Sequence, residues 1–261
     1  MPIEIRRVID GPPEAEAVVL VHSLGASLET WDGLAERLAP GYHVVRYDLP
    51  GHGGTPAVPG PYTIAGLAAV LAALLDELAI PRAHFVGASI GGMIAMQLAL
   101  EAPDRVNRLV LSGTSARLGP PSAWEARADL VRAEGMGSVA GDVAARWVTQ
   151  EYATTHPQTL AGLTAIVAAT DPVGYAGCCL AIAGMDLTHR LGEILAPTLV
   201  VVGDEDPATP PEHAQRIADG IRDARLIRVP HAAHLPNLEH PEIVASLVLE
   251  HLSMVGAEAR S

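Results

Sequence analysis

The chain has 261 residues, 49% of them hydrophobic, which suits one well-filled globular domain carrying an insertion. Its formal net charge of −13, with no basic stripe, argues against nucleic acid and against an anionic membrane surface as partners. Lysine is absent, so any anionic small molecule must be met by arginine, histidine or a helix N-terminus.

In chain order, a strand or hairpin is expected near residues 3–9. The segment from Met1 to Arg7 lacks the apolar stretch of a signal peptide, and no apolar run approaches membrane-spanning length. The expected location is therefore the cytoplasm, with no membrane partner. Val18-Val19-Leu20-Val21 is a buried strand that runs into the loop His22-Ser23-Leu24-Gly25. His43-Val44-Val45-Arg46-Tyr47 is the next strand, leading into Asp48-Leu49-Pro50-Gly51-His52-Gly53-Gly54-Thr55. Residues 64–78 form an apolar-faced helix, His84-Phe85-Val86 a strand, residues 92–100 a helix and residues 106–111 a further strand. From Ser115 to about Arg190 helical stretches follow one another without a strand. Two more strands close the pattern at residues 198–203 and 225–230. Alternating strands and helices imply an α/β architecture, a mostly parallel sheet flanked by helices, with a helical cap inserted between two parts of the core. The expected division is core over 1–114, cap over 115–190 and core again over 191–261. Cys178 and Cys179 are adjacent and read as two small buried residues, not as redox or metal groups.

Gly87-Ala88-Ser89-Ile90-Gly91 stands between a strand and a helix with serine at the apex. Such a turn lifts the serine hydroxyl above the sheet, and its crowded approach of strand and helix admits only small residues two places before and after the serine. Gly87 and Gly91 meet that demand. Acids and histidines then leave the ends of the two later strands: Asp204, Glu205 and Asp206 after the first, His231 and His234 after the second. In open parallel sheets these ends share one crevice. Serine, acid and histidine in that chain order resemble the catalytic set of the α/β-hydrolase superfamily.

That resemblance implies a choice within each cluster. Gly203-Asp204-Glu205-Asp206-Pro207-Ala208-Thr209-Pro210 is similar to the superfamily's G-x-x-D-x-x-T/P pattern, which makes Asp206 the triad acid with Asp204 as the alternative. His234 with Glu239 and Pro241 resembles its H-x-x-x-x-E-x-P tail, which makes His234 the base and His231 a neighbouring loop residue. The loop after the Val18–Val21 run resembles H-G-x, with Ser23 in place of glycine, so Leu24 N–H and Ile90 N–H are the expected oxyanion donors. His22 and His52 are expected to bond within their loops, since the triad is complete without them.

Within the superfamily, several stretches resemble the 3-oxoadipate enol-lactonases of the β-ketoadipate pathway. They are Ser23-Leu24-Gly25 with Trp31-Asp32, Ser89-Ile90-Gly91-Gly92-Met93, Thr170-Asp171-Pro172-Val173-Gly174-Tyr175-Ala176-Gly177-Cys178-Cys179, Met185-Asp186-Leu187, and the run from Gly203 to Pro211. His22 departs from an asparagine expected there in many of these enzymes. The resemblance implies a carboxylic-ester hydrolase that opens the enol-lactone ring to 3-oxoadipate in aromatic-compound degradation. It needs no organic cofactor and no metal, and its partner is a small anionic lactone. A different carboxylesterase or lactonase, a C–C hydrolase, a cofactor-free perhydrolase and a non-catalytic ligand receptor on the same scaffold are the alternatives. Cap arginines Arg117, Arg127, Arg132 and Arg146 are candidates to hold the lactone's carboxylate, with Trp124 and Trp147 as apolar walls. Arg132 and Trp147 lie in stretches resembling the lactonase cap and are the expected substrate contacts.

Overall fold

The computed structural model describes residues 4–254. Ile3, where the first strand is expected to begin, and Met1 and Pro2 lie outside the described residues. Seven strands form one sheet in the order β1-β3-β2-β4-β5-β6-β7. They are β1 (Arg7–Asp10), β2 (Ala17–Val21), β3 (His43–Tyr47), β4 (Ala83–Ala88), β5 (Val106–Ser112), β6 (Thr198–Gly203) and β7 (Ala224–Val229). All neighbours run parallel except β1, which pairs antiparallel with β3 at the edge.

The central strands β2, β4 and β6 are buried at every position. Their continuous apolar runs are what a sheet covered on both faces requires, because no side chain of such a strand reaches water. Helix α1 (Asp32–Leu38) follows β2, and α2 (Ile64–Glu77) and α3 (Ile90–Glu101) flank β4 in the chain. The Thr63 hydroxyl caps α2 by accepting from Gly66 N at 2.9 Å. Ten of the twelve residues of α3 are buried, which explains its lack of an amphipathic pattern: it is packed on all sides behind the elbow.

Between β5 and β6 the chain is helical throughout: α4 (Pro121–Glu134), α5 (Ala140–Ala144), α6 (Gln150–Thr155), α7 (Pro157–Ala168) and α8 (Pro172–Ala183). Asp171 caps α8 by accepting from Val173 N at 2.8 Å. Both cysteines are buried on α8, and burial pushes the Cys179 thiol up to about 12. Among the described residues no single helix is long and apolar enough to cross a membrane. Helices α9 (Pro211–Gly220), α10 (Pro236–Glu239) and α11 (Pro241–Ser253) complete the core. These three, and α1, add to the elements expected from the sequence.

Candidate active site

The sheet order reverses direction between β2 and β4, since β3 lies to one side and β5 to the other. Ligand crevices of open parallel sheets lie outside the carboxyl ends of strands at such a point. The elbow stands there. Ser89 has φ 54° and ψ −119°, a left-handed conformation that a non-glycine residue adopts only when its surroundings hold it. The hold is visible: Ser89 N donates to Ser112 O at 2.9 Å, and Thr114 Oγ1 donates to Ser89 O at 2.6 Å. A Cβ on Gly91 would lie 2.1 Å from Val21 O, and one on Gly87 2.4 Å from Gly91 O. Both glycines are therefore required by backbone contact between β2, β4 and α3.

The acid and the imidazole come from strands on the far side of β5 from Ser89. Asp206 follows β6, and His234 follows β7, at the edge. The loop carrying His234 crosses back over two strand ends at glycines: a Cβ on Gly203 would meet Ala232 O and Ala233 O at 2.2 Å, and one on Gly113 would meet His234 O at 2.4 Å. At the end of this path His234 Nδ1 donates to Asp206 Oδ2 at 2.9 Å, with both residues 3% exposed. Asp206 Oδ1 accepts from Ala208 N and Thr209 N, and Oδ2 also accepts from Thr209 Oγ1 at 2.8 Å. Burial by itself raises the Asp206 carboxyl, but the charge and hydrogen bond of His234, with the Thr209 donors, outweigh it and leave the carboxyl below its ordinary value. An imidazole held at Nδ1 by an ionised carboxylate keeps Nε2 as the proton acceptor. Thr209 and Gly113 have no counterpart among the residues singled out in the sequence; the T of the D-x-x-T pattern was the available signal for Thr209.

The competing residues lie elsewhere. Asp204 pairs with Arg228 at the surface, and His231 is 82% exposed beside Glu205. His22 is fully buried; its Nε2 accepts from Leu49 N at 3.0 Å and its Nδ1 donates to Ser23 O at 2.7 Å. Burial holds it neutral, lowering it to about 4. His52 is also buried, donating from Nδ1 to Pro50 O at 3.1 Å, and burial lowers it to about 3. Both histidines are occupied with loop geometry. Among the described residues, the N–H groups of Leu24 and Ile90 donate to no protein acceptor, and they flank the junction of the β2 loop with α3.

A cavity of about 110 Å³ opens beside His234 and Leu24, and Ser89, Asp206 and Ile90 are not among its lining residues. Its floor includes Ser23, Leu24, Thr209 and His234, and its roof includes Trp124, Arg127, Arg146 and Trp147 from the helical segment between β5 and β6. The Arg127 guanidinium lies 4.9 Å from the centre of the Trp124 ring. Among the described residues neither Arg127 nor Arg146 pairs with a carboxylate. Trp147 thus lines the cavity, whereas Arg132 does not. Arg132 is exposed and pairs with Asp129, because five residues beyond Arg127 place it about 140° round the helix. The structure thus differs from the expectation for Arg132: of the cap arginines named from the sequence, Arg127 and Arg146 line this cavity and Arg132 does not.

Residues 16–241 match the family described as alpha/beta hydrolase fold. The chain belongs to the α/β-hydrolase family. This α/β-hydrolase is 36% identical to 3-oxoadipate enol-lactonase 2 of Acinetobacter baylyi over 89% of its own length and 86% of that protein. It is similar to the crystal structure of the enol-lactonase from Burkholderia xenovorans LB400, with a TM-score of 0.94, 37% identity and 97% of each chain covered. It is also similar to a thermophilic esterase from Thermogutta terrifontis in a malate-bound structure, with a TM-score of 0.91, 32% identity, and 96% of this chain and 93% of that one covered. The hydrolase scaffold is common to all three, of which two are named enol-lactonases and one an esterase.

Proposed function

We propose that this α/β-hydrolase opens the lactone ring of 3-oxoadipate enol-lactone to 3-oxoadipate, a step of aromatic-compound degradation. The observation that carries this reading is the pair of guanidiniums, Arg127 and Arg146, in the roof of a small cavity whose floor holds His234. In a chain of net charge −13, two arginines in one cavity with no acidic partner among the described residues suit a small substrate bearing a carboxylate. The likeness to enol-lactonases over nearly the whole chain, roof included, supports the same substrate class.

In this reading the carboxymethyl group sits against Arg127, at the half-buried end of the roof, and Arg146 closes the rim. The ring carbonyl then faces Ser89. Ser89 Oγ adds to that carbonyl while His234 Nε2 takes the hydroxyl proton, and the oxyanion is met by the N–H groups of Leu24 and Ile90. Collapse breaks the ring C–O bond and leaves the acyl group on Ser89. The departing oxygen is an enolate, a far weaker base than an alkoxide, and its protonation to the ketone removes the nucleophile that would close the ring again. Water, deprotonated by His234, then releases 3-oxoadipate. The roof excludes bulk water, and Trp147 gives the ring an apolar wall.

The test compares kcat/KM for the enol-lactone with that for p-nitrophenyl acetate, a neutral ester, in the unaltered protein and in Arg127→Ala and Arg146→Ala. The lactone should be strongly preferred. Arg127→Ala should lose about tenfold or more on the lactone alone, equivalent to about 1.4 kcal/mol for a charge-assisted contact, and the rim variant less. Equal loss on both substrates, or no preference for the lactone at the start, would sink the assignment.

A further inference from the structure

We infer that Glu239 is a positioning residue that locks the base His234 to the roof of the cavity. Its two carboxylate oxygens face opposite ways. Oε1 accepts from Thr149 N at 2.8 Å and from Thr149 Oγ1 at 2.7 Å, and Thr149 lies two residues after the cavity-lining Trp147. Oε2 accepts from Ala233 N at 2.6 Å, one residue before His234. Two further bonds run beside it: Leu235 N donates to Trp147 O at 2.9 Å, and Tyr152 Oη donates to Leu238 O at 3.3 Å. The segment 147–152 of the roof and the segment 233–239 of the core are thereby held in one register, with Glu239 at the centre.

Chemistry explains why a carboxylate is needed. All three of its partners are donors, so both of its oxygens must accept. An amide of the same shape accepts at one oxygen only and sets its NH2 against a donor at the other end. Glutamine at this position therefore fits the space yet breaks one side of the clamp. The loop carrying His234 makes a long return across β6 and β5, and its partners on the core are mainly Asp206 and the glycine-lined strand ends. A lock on the residue before His234 fixes the imbalance of a catalytic side chain borne on a loop, whose misplacement by a fraction of an ångström is costly in rate. Glu239 is not among the residues lining the cavity, and its hydrogen bonds go to Ala233 and Thr149, so its effect is exerted through them.

The inference rests on hydrolysis through Ser89 and His234, whichever ester is the substrate, so p-nitrophenyl acetate serves as the probe and Ser89→Ala as the control for that reading. Measured well below the melting temperature, Glu239→Gln should lower kcat about tenfold or more while KM for the acetate changes less than about twofold. Thr149→Val removes one of the two donors at the roof end and should lower kcat several-fold. The double variant should be no worse than Glu239→Gln alone, because both act on one clamp. A Glu239→Gln protein that melts earlier but keeps kcat within about twofold is a fold-stabilising contact only, and the inference is overturned. If Glu239→Gln does not fold, unchanged kcat in Thr149→Val overturns it equally. Undiminished turnover in Ser89→Ala is a separate result: it removes the hydrolytic reading itself and not the clamp.

Discussion

At Asp206 four donors set the chemistry of one side chain. Two backbone N–H groups, the Thr209 hydroxyl and His234 Nδ1 all donate to its oxygens, so the carboxylate stays ionised although it is almost wholly buried. In the mechanism proposed above each of Ser89, His234 and Asp206 acts through the next, so loss of any one should cost several orders of magnitude in kcat. Ser89→Ala, His234→Ala and Asp206→Asn are expected to be of that kind. Asp204→Asn and His231→Ala should stay within a few-fold of the unaltered protein, because the first is paired to Arg228 at the surface and the second is exposed to solvent. Steady-state rates on one ester, with circular dichroism to show that each variant is folded, decide the ranking. The reverse ranking within either pair would move the acid or the base to the other residue.

At the scale of an element, the ends of strands matter more than their middles. The apolar interiors of β2, β4 and β6 place the layers, but the site is assembled where Gly91, Gly113 and Gly203 let one backbone pass against another. Gly113 shows the consequence most directly. It has φ +49°, and a Cβ there would sit 2.4 Å from His234 O and 3.3 Å from Asp206 Oδ2. Gly113→Ala therefore meets strain and overlap together, a loss of roughly 1–3 kcal/mol in stability. Because the overlap falls on the acid and the base, kcat should drop by more than the small change in folded fraction explains. Urea denaturation and kcat measured on the same preparation separate the two. Unchanged kcat in a destabilised Gly113→Ala would mean that the His234 loop moves as a rigid piece without losing Asp206.

At the scale of the whole molecule, buried histidines make the fold acid-sensitive. His22 is lowered to about 4 and His52 to about 3, chiefly by burial, with each ring 5.3 Å from the other. A folded-state value below the unfolded value means that the unfolded chain binds more protons in the interval between them. The associated stability is therefore complete above about pH 6.5 and is lost as pH falls toward the folded value. For His22, a fall from the ordinary 6.5 to about 4 corresponds to on the order of 3 kcal/mol. Asp206, also lowered, contributes in the same direction at more acidic pH. The urea midpoint should drop markedly between pH 7 and pH 5. His22→Asn keeps a donor at the place of Nδ1 for Ser23 O without a titrating ring, and it should flatten that dependence. An equally steep dependence in His22→Asn would assign the acid sensitivity to other groups.

What could be read from the sequence was what is written locally. Continuous β-branched runs mark strands with two covered faces, an unbroken helical stretch marks the segment between β5 and β6, and Gly87 and Gly91 mark a turn that tolerates no Cβ. Their order along the chain was enough to expect serine, acid and histidine together at the carboxyl ends of the strands. Helices α1 and α10 escaped because one or two turns carry little periodicity of their own, whereas α9 and α11, at 10 and 13 residues, are long enough to have been legible. Which arginine faces the cavity was decided only by tertiary packing: Arg127 and Arg132 share one helix and differ in rotation about its axis, and that rotation is set by how α4 packs on α8. The same holds for Glu239, whose motif was visible but whose partners Thr149 and Ala233 are 90 and 6 residues away. A side chain's residue type and local spacing fix what it can bond to, whereas the partner it meets depends on long-range contacts that form only when the sheet and the helices above it have closed.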